Sequence, residues 1–362
     1  MNFEFSEDCQ AIATQLRRVL EKVCAMDEVK RCLDKDCASE ITWRALADMG
    51  VLGAAVPARW GGSGLSALEL AACAEEVGRA CAPVPLLASA VLATEALLHA
   101  GDDALRERWL PALASGEATG TLVFEAPDLT LRGGCVSGSL PRVVAGAAAD
   151  FVVAPCAGGL VLVELSGRGV RRKALHVLDP GFPLAAVDLE GVSALELNPS
   201  DGESAADLLA ALRNRGAALL AFEQLGGAER ALKMARDYSL QRRTFGRFVG
   251  SYQAIKHKLA NIWVKNELAR GHAYHAAWAL AHNPRALPLA AAGARVAASA
   301  AFEFAAQENI QIHGGFGYTW EADCHPLYKR ALSTSLALGA PSVWKRRIVA
   351  HLATARGSRD GL

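Results

Sequence analysis

The sequence carries no excess of either charge: Lys+Arg and Asp+Glu stand at 38 each in 362 residues. No global field therefore draws nucleic acid or an anionic membrane towards it, and any anionic ligand has to be held by a few placed groups. It also lacks a cysteine framework. The nine cysteines are odd in number and scattered without paired spacings, which suits a reducing compartment and small buried apolar roles. Met1 to Gln10 holds acids and no apolar core of signal-peptide length. No later apolar run approaches the roughly 20 residues that span a bilayer, so the expectation is a cytoplasmic protein with no membrane segment. One local absence matters more than these: no Asp or Glu occurs from Cys324 to Arg359.

What is present is apolar surface to bury, at 52% of residues, enough for a large core and two or three domains. Ile12, Leu16, Val19, Leu20 and Val23 recur at helical spacing, as do the apolar residues of Leu68 to Arg79 and Val91 to Ala100. From Thr121 to about Pro199 the pattern turns to short β-rich runs, among them Leu122 to Phe124, Phe151 to Ala154 and Leu160 to Leu165, broken by Gly and Pro. Helical periodicity returns with Leu219, Phe222 and Leu225, then Ile255, Leu259 and Ile262, then the Ala-rich stretch from Ala290 to Ala306. The expected class is α+β, with a helical domain over 1–118, a small β domain over 119–200 and a helical domain over 201–362.

Four segments carry more than periodicity. The first runs Val56-Pro57-Ala58-Arg59-Trp60-Gly61-Gly62-Ser63-Gly64-Leu65-Ser66, with Glu75-Glu76-Val77-Gly78-Arg79 after it. The second is Gln241-Arg242-Arg243-Thr244-Phe245-Gly246, with Gln253 beyond. The third is Leu268-Ala269-Arg270 with Tyr274 and Ala276-Ala277, and the fourth is Gln311-Ile312-His313-Gly314-Gly315-Phe316-Gly317-Tyr318-Thr319. Singly each is weak, because a glycine cluster marks a turn more often than a site. In this order they resemble the acyl-CoA dehydrogenase family along nearly the whole chain. The resemblance implies an N-terminal helical domain, a small β-barrel domain and a C-terminal four-helix bundle, with FAD bound between subunits and an acyl-CoA thioester as ligand. It further implies that Arg242, Thr244, Phe245, Gln311 and Gly315 contact the cofactor of a neighbouring subunit, that Gln253 and Gly314 are cofactor-binding as well, and that an electron-transfer flavoprotein takes the electrons.

The residue types suit that role. Arg242 offers a planar donor fork for pyrophosphate oxygens. Thr244 offers a hydroxyl, Phe245 an apolar face for a ring system and Gln311 an amide, while Gly314-Gly315 lets backbone approach a ligand closely. The plain alternatives are a solvated Arg242 or Arg243, a core Phe245 and a helix-ending glycine pair.

One part of the resembled chemistry has no carrier. Removing the proton α to a thioester needs a general base within hydrogen-bond reach. In the family a glutamate supplies it, in a Glu-Gly-Thr type motif after the fourth segment. Here that stretch reads Leu336-Ala337-Leu338-Gly339-Ala340-Pro341. Some members carry the glutamate on an earlier helix, at a position falling on or near Gly216, where the sequence is Arg213-Asn214-Arg215-Gly216-Ala217-Ala218. Glu223 lies on the same helical face but about 10 Å along the axis, and is expected to be solvated or structurally paired. The stretches that stand where the family lines its flavin ring, Phe124-Glu125-Ala126-Pro127-Asp128 and Pro141-Arg142-Val143-Val144, also depart from the pattern.

The favoured reading is one subunit of a heteromeric acyl-CoA dehydrogenase of steroid, bile-acid side-chain or dicarboxylate breakdown, paired with a homologous subunit that supplies the base and inactive alone. A silent scaffold without cofactor is the second reading. The third is a flavin-dependent oxygenase with His257 or His313 as acid or base. Cys32 with Cys37, Cys73 with Cys81, and His272 with His275 lack a second half at metal-ligand spacing, so no metal is expected. No nucleophile-elbow signature accompanies the serines. Lys345-Arg346-Arg347 fits a helix end near its negative dipole as well as a CoA phosphate.

Overall fold

The computed structural model describes residues 5–199 and 202–357. The boundary expected between residues 200 and 201 lies outside the described residues. So do the start of the Met1 to Gln10 segment and the last two residues of the acid-free stretch. Six α-helices come first: α1 (Glu7–Val23), α2 (Met26–Asp34), α3 (Glu40–Asp48), α4 (Ala67–Ala80), α5 (Thr94–Ala100) and α6 (Asp103–Ala114). Strands follow: β1 (Gly120–Leu122), β2 (Thr130–Arg132), β3 (Cys135–Val144), β4 (Phe151–Cys156), β5 (Gly159–Glu164), β6 (Val170–Ala174) and β7 (Leu184–Leu197). The rest is helical, with α7 (Ala205–Gln241), a hairpin of β8 (Arg243–Thr244) and β9 (Arg247–Phe248), then α8 (Gln253–His282), α9 (Leu287–His313), α10 (Cys324–Leu336) and α11 (Pro341–Gly357). The helical, β, helical order is the expected one, and the last region holds three long helices and two shorter ones.

The chain divides into two compact units. One comprises Arg31–Leu70 and Pro83–Gly216 and contains the whole seven-stranded sheet. The strand order is β1-β4-β5-β7-β3-β2, with β6 on β7. The 14-residue β7 is shared among three strands: Ala185 and Val187 to Leu189 pair with both β3 and β6, and Ala194 to Leu197 pair with β5. A strand shared in this way wraps the sheet around one core, in which Val136, Val143, Val152, Val163 and Val187 are buried together. Pro141 falls inside the register shift of β3 between Leu140 and Val143, a place where its missing N–H costs no ladder bond. In the same unit the helix expected from Val91 begins earlier, as a π-helical turn over Leu87–Ala93. The Thr94 hydroxyl donates to the Ser89 carbonyl five residues back at 3.0 Å, and the Ser89 hydroxyl accepts the Gly120 N–H.

The other unit holds the chain up to Lys30, Ala71–Ala82 and everything from Ala217 onward. Its helices approach one another unusually closely, and glycine is the reason. A Cβ on Gly78 of α4 would overlap the Glu223 carbonyl of α7, and one on Gly226 of α7 would overlap the Glu75 carbonyl of α4. The reciprocal pair lets the two backbones touch, and arginines seal the crossing: Arg79 binds Glu75, Glu76 and Glu229, and Arg17 of α1 binds Glu76 through two bonds of 2.7 Å.

Helix α9 with its following turn, Leu287–Tyr318, is long and apolar enough by length and composition to cross a membrane. The apolar run is therefore longer than sequence inspection allowed, because alanines and occasional polar residues interrupt it to the eye. Here α9 serves as a core helix packed against α8, α10 and α11, with Arg295 buried in its middle.

Gly226→Ala is expected to destabilise this unit by roughly 1–3 kcal/mol or more through overpacking. Gly271→Ala, on an exposed helical face with nothing near its Cβ position, should instead stabilise by about 0.5–1 kcal/mol. Denaturant midpoints of the two variants check both signs.

Candidate functional site

All seven residues implied as cofactor contacts fall in the second unit, at the end of α7, the start of α8 and the end of α9. The sequence dictates a sharp exit from α7: after Gln241 the chain turns into the β8–β9 hairpin, with Arg243 opposite Phe248 and Thr244 opposite Arg247. Its two-residue tip is Phe245-Gly246, both with positive φ, at 50° and 79°. That is the geometry of a tight hairpin turn, where glycine is at ease and a bulky residue is held at a cost of about 1–2 kcal/mol. Phe245 is nonetheless 93% exposed. The alternative of a core Phe245 is thereby excluded within this chain.

The hairpin is stiffened from both sides. The Arg243 guanidinium lies over the Phe248 ring at 4.2 Å and that of Arg247 over the Tyr252 ring at 3.8 Å. The Tyr252 hydroxyl donates to the Thr244 carbonyl at 2.9 Å, and the Val249 N–H donates to the Arg242 carbonyl at 2.9 Å. Arg242, Thr244 and Gln253 are exposed.

The second element is the turn Gly314–Tyr318 after α9. Gly314 has φ 63°, a region that favours glycine. Neither Gly314 nor Gly315 has any atom near the place a Cβ would take, whereas Gly317 backs onto the Ile310 carbonyl. Packing within the chain thus explains Gly317 and leaves the bare face of Gly315 open to something else. Gln311 is exposed and lines a cavity with Lys258, Glu308, Tyr318, His325 and Tyr328. The Lys258–Glu308 ion pair joins the start of α8 to the end of α9.

His313 is packed. Its ring stacks on Tyr238 at 4.1 Å, and its Nδ1 lies 2.8 Å from the Asn309 carbonyl. Burial pushes its pKa below the usual value against the pull of that carbonyl. His257 is exposed on α8. Among the described residues no group of three or more His, Cys, Asp or Glu is placed to hold a metal ion.

The third element is the loop where a base was sought. Helix α10 ends at Leu336, and residues 337–340 lead into α11 with Leu338 and Gly339 at φ 61° and 108°. A buried guanidinium holds this loop. Arg295, 1% exposed, donates through Nη2 to the carbonyls of Thr334, Ser335 and Ala337 at 2.8, 3.2 and 2.9 Å, and through Nη1 to Gln224. Burial draws it down to about 10, so at neutral pH it remains a cation. Glu223 is buried, with Oε1 3.5 Å from Nη1 of the buried Arg330. It is a structurally paired carboxylate, in line with expectation. In the sheet-containing unit, the Arg213 guanidinium lies over the Phe124 ring at 4.6 Å and 3.7 Å from Glu125.

Sequence inspection missed Arg295, Arg330 and Tyr238. A lone arginine inside an alanine run was a usable signal for the first, since an Ala-rich buried face leaves a charge no exit except an internal partner.

Residues 6–117 match the family description "Acyl-CoA dehydrogenase, N-terminal domain" and residues 209–353 match "Acyl-CoA dehydrogenase, C-terminal domain". Acyl-CoA dehydrogenase IpdE2 of Mycobacterium tuberculosis is 36% identical over 312 residues, covering 85% of this chain and 86% of that protein. The ChsE4-ChsE5 complex from Mycobacterium tuberculosis contains a chain with a TM-score of 0.88 at 28% identity, covering 98% and 99% of the two chains. A variant of the Tcur3481-Tcur3483 steroid ACAD gives a TM-score of 0.87 at 26% identity, over 97% and 99%.

The lowered pKa of His313 sets a sign for stability. In the folded chain the ring stays neutral where the unfolded chain already binds a proton, so its contribution is full above the ordinary histidine pKa and is lost as pH falls through the lowered value. His313→Phe, which keeps a flat ring, should therefore flatten the fall in stability between about pH 7 and about pH 5. Urea midpoints of both proteins across that range test it, and parallel curves would refute it.

Proposed function

The chain belongs to the acyl-CoA dehydrogenase family, and from that premise we propose that it is one subunit of a two-chain, FAD-dependent enzyme of α,β-desaturation, presenting contacts to a cofactor shared across the subunit boundary while a homologous partner supplies the base. One observation carries this reading. The loop in which the base was sought offers only Ala337, Leu338, Gly339 and Ala340, and the nearest candidate on α7, Glu223, faces the buried Arg330. A carbon acid does not lose its proton to such a surface.

The residues that remain fit a dinucleotide. Arg242 presents an exposed guanidinium for pyrophosphate oxygens, Thr244 stands beside it on the same hairpin, and Phe245 holds an apolar ring in solvent at the tip. The open Cβ sides of Gly314 and Gly315 leave backbone that a ligand can approach. Gln311 and Gln253 offer amides at the ends of α9 and α8. When bound, FAD accepts the hydride that leaves the β carbon of the thioester. What this chain contributes is orientation: a stiff hairpin and a fixed glycine turn hold donors ready before the ligand arrives, which spares ordering entropy.

Several exposed apolar residues support a partner. Leu240, Trp263, Val264 and Leu268 on α7 and α8, with Phe316, Tyr318 and Trp320 after α9, stand open in the isolated chain, more than scattered surface residues require. The likeness to chains of ChsE4-ChsE5 and of the Tcur3481-Tcur3483 steroid ACAD supports a homologous second chain and a steroid or bile-acid side chain as acyl group. An electron-transfer flavoprotein as acceptor and a cytoplasmic setting complete the proposal. The scaffold reading differs in one respect: Arg242 and the glycine turn would touch only protein. An oxygenase acid or base at His313 is disfavoured by its stacked, buried ring.

Purified alone, the chain is expected to be flavin-poor and inactive on acyl-CoA, and co-expression with a homologue that keeps the glutamate should give a yellow, active complex. Stoichiometric FAD and desaturation by the isolated chain would overturn the proposal. In the complex, Arg242→Ala should lower flavin occupancy, while unchanged occupancy would favour the scaffold. Glu223→Gln should leave turnover per assembled complex within about threefold; a large loss without unfolding would make Glu223 the base.

A further inference from the structure

We propose that Tyr238 is a positioning residue for the cofactor, a single side chain that fixes the hairpin and the glycine turn relative to each other; the inference rests on the cofactor reading above. Tyr238 lies on the last turn of α7, one helical turn before Arg242, whose N–H donates to the Tyr238 carbonyl at 2.9 Å. The same residue reaches 75 positions along the chain to the other element. Its hydroxyl donates to the His313 carbonyl at 3.3 Å, on the peptide that leads into Gly314. Its ring stacks on the His313 ring with centroids 4.1 Å apart and 28° between planes, and the Phe316 ring follows at 6.5 Å and 10°.

His313 is in turn fixed from behind, through Nδ1 on the Asn309 carbonyl. The peptides on both sides of the glycine pair are therefore held by aromatic rings, at His313 and at Phe316, while nothing lies near the place a Cβ would take on Gly314 or Gly315. A turn with three glycines among its five residues is otherwise free to sample many backbone states. Ordering it at the moment of binding would weaken affinity, and ordering it beforehand preserves it. The other ties of the turn lie after the glycine pair, where the Thr319 hydroxyl donates to the Phe316 carbonyl at 2.9 Å and Gly317 backs onto the Ile310 carbonyl. Tyr238 thus couples Arg242, at the root of one element, to Gly314 and Gly315 in the other, without touching the ligand.

The test uses the assembled complex of this chain with its partner, stripped of flavin and titrated with FAD by flavin fluorescence. Tyr238→Leu should weaken FAD binding roughly tenfold, and Tyr238→Phe, which keeps the ring and loses one long hydrogen bond, should stay within about threefold of wild type. Because the residue acts in part through Arg242, the double variant with Arg242→Ala should lose less affinity than the product of the two single losses. Should Tyr238→Leu not assemble, Tyr238→Met fills the space without a flat face and carries the same expectation. Wild-type affinity in the assembled Leu or Met variant, whatever its melting temperature, overturns the proposal, as do fully multiplicative losses in the double variant. If Arg242→Ala itself leaves FAD affinity unchanged, the cofactor reading fails instead.

Discussion

The guanidinium of Arg295 is the interaction on which the C-terminal arrangement depends. It gathers three carbonyls at the end of α10 and the amide of Gln224 on α7, ending a helix whose last carbonyls have no partner of their own. A charge so deep is costly to bury, and it is tolerated because both terminal nitrogens meet fixed acceptors, although the buried Nε has none among the described residues. Gln224 extends the arrangement to Ser299 and Thr334. The loop into α11 is consequently set in place from its base, although its own residues, small and apolar apart from two left-handed positions, have little to anchor it.

That support changes how the missing carboxylate is understood. A loop that had merely decayed would be expected to lose its internal partners as well. Here Arg295 still gathers the carbonyls beneath it and Glu223 faces Arg330 in the same unit, while the loop itself carries no carboxylate. The hairpin and the glycine turn are likewise intact and stiff. On the two-chain reading the cofactor face lies on this chain and the base on its partner, and family membership supplies the frame in which that division makes sense.

Much of this was legible in the sequence, for identifiable reasons. Helices α1, α4, α7, α8 and α9 declare themselves by apolar spacing, and β4 and β5 by short β-branched runs between glycines. The second and fourth motifs pointed to positions, and the seven residues singled out there and at Gln253 fall in one unit, around the exit of α7, the start of α8 and the end of α9. The conformations were not legible. Phe-Gly is not the Asn-Gly pair that announces a tight hairpin, so two-residue strands around it left no signal. The π turn at Leu87–Ala93 depends on a hydroxyl reaching five residues back, which periodicity does not register. The partners of Arg295, Arg330 and Tyr238 lie far off in the chain, and no local pattern reveals which distant carbonyl a side chain will find. The alanine-rich α9 escaped notice as a long apolar stretch for the opposite reason: its hydropathy is diffuse, and only its packing tells whether it faces protein or solvent.

The tip of the hairpin has a consequence for how such a chain drifts over time. Phe245 occupies a backbone geometry that asparagine or glycine would accept with less strain, and its ring gains nothing from its own chain. Selection on the folding of this polypeptide alone would erode that aromatic within a few substitutions. On the two-chain reading a companion is what holds the aromatic there, so a lineage that lost the companion should betray the loss first at this one residue, well before its core begins to change.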